Sequence, residues 1–98
     1  MTHPTPTPEQ LDAARYAAWQ RMRRETTAIN TGDPTIDRDL PHVAAWIAAH
    51  TRYQAEIALH PRSALAQRRA REHRLTAEAA YVDAILPDEL ARITTISP

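Results

Sequence analysis

"TPEQLDAARYAAWQRMRRETTAIN", Thr7 to Asn30, decides the fold class. Thr7 can cap a helix, Pro8 suits its first position, and Gln10 stands where a Thr-x-x-Gln capping box needs it. Behind this start Leu11, Ala14, Ala18, Met22 and Ile29 recur at helical spacing, with Trp19 on the flank. Gly32, the only glycine, follows where a left-handed helix stop belongs. Residues 2–8, "THPTPTP", alternate Pro with Thr or His, which favours extended polyproline II, so a flexible Pro/Thr arm is expected over residues 1–7.

Two more helical patterns follow. "DPTIDRDLP" is a punctuated connection that can hold one helical turn from Pro34 capped by Asp33, with Asp39 as cap of the next helix. That helix runs to about Leu59 and sets Leu40, Val43, Ile47, His50, Gln54 and Ile57 on one side, with Trp46 and Tyr53 flanking. Pro61 separates it from a third helix, Ser63 to about Leu86, whose main stripe reads Leu65, Leu75, Ala79, Val82 and Leu86. Pro87 is expected to break this helix, leaving "PDELARI" as a short C-terminal turn. The fold class is therefore all-α: a small up-down-up bundle of three main helices forming a single domain over residues 8–98.

The core of such a bundle is thin. The 98 residues include no Phe, two Trp and three Tyr, and much of the 43% hydrophobic content is alanine. Full burial of a large apolar side chain yields roughly 1.5–3 kcal/mol, and few are present to offset the ordering entropy. Partner chains are a natural way to complete it. The second helix also carries Ala44, Ala48, Thr51, Ala55 and Leu59, and the third Ala66, Ala70, His73, Ala77, Ala80 and Ala84, each a second row of mostly small residues. Such rows either fill exposed positions with the best helix former or let two helices approach closely. The second view makes Trp46, Tyr53, Ala66, Ala70, His73, Leu75, Ala77 and Tyr81 candidate interface residues.

Charge is unevenly spread in a chain whose formal net charge is zero. Arg62, Arg68, Arg69, Arg71 and Arg74 face one acid, Glu72, whereas Glu78, Asp83, Asp88 and Glu89 follow with no base between them. This opposes the helix macrodipole, so a compensating contact is expected. Two copies of the third helix laid antiparallel would set each positive half against a negative half. Ion pairs Arg68–Glu72 and Arg74–Glu78, both at i,i+4, are the plainer outcome. Nucleic acid is the alternative partner, through Arg21, Arg23, Arg24, Arg68, Arg69, Arg71 and Arg74. Zero net charge and the lack of any nucleic-acid-binding motif argue against it.

Polar residues interrupt the stripes: Glu25, His50, Gln54, Arg68 and Glu72 would form a buried polar layer if they meet at one level. A catalytic reading would make His50 a base oriented by Glu72 or Glu25, but no nucleophile, glycine loop or motif order accompanies it. Glu56 and His60 are two ligands at most, with His42 about 27 Å from His60 along an ideal helix. No catalytic residue, metal or cofactor is expected. The absence of cysteine removes thiol chemistry and disulfides. Neither a signal-peptide pattern after Met1 nor an apolar run long enough for a membrane span is present, so a cytoplasmic protein without membrane contact is expected. The sequence leads to a non-catalytic helical interaction or assembly protein, a homo-oligomer or the binder of another protein. All twelve basic residues are Arg, a usage associated with GC-rich genomes, where phages and other mobile elements encode small accessory proteins.

Overall fold

A computed structural model describes residues 5–96, with the side chain of Ile96 left out of the description. Residues 1–4 of the expected arm, and residues 97–98, lie outside the described residues. The described chain is all-α: α1 (Pro8–Asn30), α2 (Pro41–Leu59) and α3 (Ala64–Ile96), with no strand among the described residues.

Local chemistry explains each boundary. At the start of α1 the Gln10 backbone N–H donates to Thr7 Oγ1 at 3.1 Å, and the Thr7 N–H donates to Gln10 Oε1 at 2.9 Å, a complete capping box. At its end Gly32 takes φ +80°, so the Gly32 N–H reaches the Ile29 carbonyl at 3.1 Å and the Asp33 N–H reaches the Ala28 carbonyl at 3.0 Å. These are the paired bonds of a Schellman stop. Nothing lies within 4 Å of a Cβ added at Gly32, so the backbone angle alone requires glycine there.

The connection differs from expectation. It consists of turns, with no helical turn from Pro34, and the cap of α2 is Leu40 with no side-chain bond. Asp39 stands one position before that cap, its N–H donating to Asp37 Oδ1 at 2.9 Å in an Asx turn. Ser63 caps α3 through the Ala66 N–H at 3.1 Å.

Pro87 does not break the third helix. It lies inside α3, which continues to Ile96, so the expected separate C-terminal turn is the last part of one long helix. Proline deletes one intrahelical bond, to the Asp83 carbonyl, but its φ suits a helix. Ile85 before it and Glu89 after it are both buried, and this burial on either side holds the helix through the missing bond.

The described chain divides into two compact units: residues up to Asp33 together with those from Val82 onward, and residues Pro34 to Tyr81. In the first unit α1 buries Ala14, Ala18, Met22, Thr26 and Ile29, the expected row with Thr26 added, and the last part of α3 buries Ile85 and Glu89. Leu11 is half-buried, and Trp19 is exposed.

In the second unit α2 and the first half of α3 run antiparallel, since His42 meets Tyr81 at one end and the Ser63 N–H meets the His60 carbonyl at the other. The inner face of α2 is turned from the expected stripe: Val43 and Trp46 are buried, Ile47, His50, Tyr53 and Ile57 half-buried, and Leu40 and Gln54 exposed. The third helix is turned further. Leu65, Leu75 and Ala79 of its expected stripe are exposed, while Ala70 and Tyr81 are buried and Ala66 and Ala77 half-buried. The inner face of this unit thus combines the rings of Trp46, His50 and Tyr53 on α2 with small side chains on α3.

Candidate functional site

Three polar arrangements survive folding. In the first unit Glu89 is nearly fully buried, its carboxylate 3.3 Å from Arg21 Nη1 and 3.4 Å from Arg92 Nη1. Arg21 Nε also bonds Glu25 Oε2 at 2.6 Å, and its Nη1 lies 3.7 Å from Asp88. The Glu25 hydrogen bond, above all, raises the Arg21 pKa above its ordinary value, with burial acting in the opposite direction. This is a clamp: one guanidinium ties α1 to the last part of α3.

The second arrangement lines the inner face of α2. His50 stacks between Trp46, at 4.8 Å and 10°, and Tyr53, at 6.3 Å and 21°. From α3 the Arg74 guanidinium covers the Tyr53 ring at 4.5 Å and stands 3.6 Å from Glu78. His42 meets Tyr81 edge-on at 4.7 Å. Burial first, and then the Arg74 charge, push the His50 pKa below its ordinary value, and Glu78 pulls the other way. Trp46 Nε1, His50 Nδ1 and Arg74 Nε are buried with no hydrogen-bond partner among the described residues.

The third is a cavity of about 350 Å³ between the second half of α2 and the first turns of α3. Arg52, Tyr53, Glu56, His60, Arg69 and His73 line it, with Ala66 and Ala70 among its small walls.

The expected polar layer is not assembled. Glu25 is half-buried on Arg21, and His50 is half-buried in the ring stack. Gln54, Arg68 and Glu72 are exposed, because the inner faces of α2 and α3 are turned away from them. Arg74–Glu78 is formed and half-buried, and no ion pair joins Arg68 to Glu72 among the described residues. Within the second unit the polar groups that do come together are His50, Arg74 and Glu78, all half-buried.

The candidate interface residues are mostly consumed within the chain. Trp46, Ala70 and Tyr81 are buried, and Tyr53, Ala66 and Ala77 half-buried against their own unit, which leaves His73 and Leu75 outside. The two rows therefore separate: of the α3 row Ala66, Ala70 and Ala77 lie inward while His73, Ala80 and Ala84 are exposed, and Ala44, Ala48, Thr51, Ala55 and Leu59 on α2 are all exposed. The charge contrast along α3 also weakens at the surface, because Glu78 and Glu89 of its acidic half turn inward. Of the arginines, Arg21 and Arg74 are engaged internally, whereas Arg23, Arg24, Arg68, Arg69 and Arg71 are exposed.

Among the described residues no group of three or more His, Cys, Asp or Glu side chains is placed to hold a metal ion, and no helix is long and apolar enough to cross a membrane. Comparison with protein-family models, curated proteins and solved structures finds no match.

Proposed function

We propose that the chain is a non-catalytic helical interaction protein that works through contacts of its helix faces with a second copy of itself or with a protein partner. The observation that carries this reading is the outward turn of α3. Leu65 and Leu75 are 55% and 49% exposed, on a helix whose inner seam is alanine. Arg68, Arg69 and Arg71 stand exposed between them, so the open face combines aliphatic side chains with guanidinium groups. Residue sets of this kind bury well against another protein, the leucines supplying area and the arginines orientation. The exposed alanine row of α2 and the 72% exposed Leu59 extend the same unit's open surface.

The test is light scattering behind size exclusion on the untagged chain, with Leu65→Glu/Leu75→Glu beside it. A mass at a multiple of 11.0 kDa that falls to one chain in the variant supports self-association. A mass of 11.0 kDa for both removes the self-association arm and leaves the foreign partner as the form to test. Material absorbing at 260 nm that salt strips away would replace this proposal with a nucleic-acid surface built on the exposed arginines.

A further inference from the structure

The cavity between α2 and α3 shares Leu65 and Arg69 with the face just proposed, and the rest of its lining adds further basic side chains. Two guanidinium groups, Arg52 from α2 and Arg69 from α3, share it with the imidazoles of His60 and His73. The single carboxylate in the lining is Glu56, which is half-buried. The half-buried arginines, Arg21 and Arg74, each have a carboxylate within 4 Å, whereas the two cavity arginines are exposed. Arg52 and Arg69 have none among the described residues, although Glu56 stands at i,i+4 from Arg52. Two like charges on the walls of one concavity repel each other, and an oxyanion between them relieves this while accepting forked N–H donors from both. The cavity, beside the small side chain of Ala66, measures about 350 Å³, within the range of small-molecule sites.

We propose that this cavity binds a small organic anion, its phosphate or carboxylate head held between Arg52 and Arg69. Tyr53, His60 and His73 are placed on the same lining to contact the body of the ligand. Phosphate and carboxylate share the chemistry that these donors recognise, and the experiment separates them.

The full-length chain is titrated with inorganic phosphate in one arm and citrate in the other, at constant ionic strength in chloride. Binding is followed by calorimetry and by backbone amide shifts. Saturable binding is expected in at least one arm, with shifts gathered at Arg52, His60 to Ala66 and Arg69. The tighter arm identifies the head group. Arg52→Gln and Arg69→Gln should each weaken binding about tenfold, as expected for the loss of one charge-assisted contact. Arg52→Lys should retain part of the affinity, and Arg15→Gln on α1 all of it. Both cavity arginines are exposed, so the variants should fold, and circular dichroism checks this. Absence of saturable binding in both arms up to about 10 mM, a range that covers even weak millimolar sites, overturns the proposal. So does unchanged affinity in the double Gln variant.

Discussion

Arg21 and Glu89 stand 68 positions apart in the chain and meet at 3.3 Å, joining α1 to the last part of α3 through a carboxylate that is nearly fully buried. Buried charge is costly unless paired, and the further partners on the two sides are unequally screened by water. Arg21 also holds Glu25 and approaches Asp88, whereas Glu89 has, beside Arg21, a mostly exposed Arg92.

The two ends of this pair should therefore respond unequally. Arg21→Ala strands Glu89 beside a solvent-screened partner and is expected to cost about 2–3 kcal/mol. At roughly 4–8 °C per kcal/mol for a chain of this size, that lowers Tm by on the order of 10–20 °C. Glu89→Leu removes the buried charge and leaves Arg21 on Glu25, so its effect should be within about 1 kcal/mol of neutral. Urea unfolding of both variants by circular dichroism decides. A larger loss for Glu89→Leu than for Arg21→Ala would show that the carboxylate is the organising member.

Pro87 gives the opposite expectation, a gain. Its ring leaves the Asp83 carbonyl without an intrahelical donor in the middle of α3. Pro87→Ala restores that bond, a change worth up to about 3 kcal/mol in a helix interior and offset by about 0.4–1 kcal/mol of added freedom in the unfolded chain. A net stabilisation of about 1–2 kcal/mol is expected in the same urea experiment. Destabilisation would mean that the packing of Ile85 and Glu89 depends on backbone geometry that only proline imposes.

What could be read in advance follows the range of the forces involved. The capping box at Thr7 and the stop at Gly32 are set within a few residues, so α1 is legible from end to end. The rotation of α3 is not. Leucine at 65 and 75 outranks alanine at 66, 70 and 77 on any scale of hydrophobicity. The inner face of α3 pairs alanine with an α2 that supplies the rings, and the pattern of α3 alone does not contain that partner. Glu89 was findable. It continues the buried i,i+4 progression from Ile85, and a carboxylate in such a row demands a cation, but reading Pro87 as a break hides the progression. Arg68–Glu72 and Arg74–Glu78 have identical spacing, and only burial of the second pair separates them.

The inverted faces of α3 make a direct comparison. Ala70 is 2% exposed in the seam, and Ala70→Leu should overpack it, costing about 1–3 kcal/mol. Leu75→Ala removes a larger side chain from an exposed site and should change the stability of a single chain by no more than about 0.5 kcal/mol. Measuring both at low protein concentration isolates the folding term. A larger loss for Leu75→Ala than for Ala70→Leu would place the leucine face inside and overturn the arrangement of this unit.

His50 ties stability to pH in one direction. Its folded-state pKa lies below the ordinary imidazole value, chiefly through burial and next through Arg74. The unfolded chain therefore binds the proton more readily than the folded one. Stability rises with pH wherever the unfolded state holds more protons. This group's contribution is thus fully present above the unfolded pKa, about 6.5, and is lost as pH falls from there toward the folded value. His50→Gln keeps a polar side chain of similar size and removes the titration. Thermal stability between about pH 8 and pH 5 should then fall less steeply in the variant than in the parent. Parallel slopes would show that His50 is free to take up its proton in the folded chain. The stack between Trp46 and Tyr53 would then have to open toward water without loss of the fold.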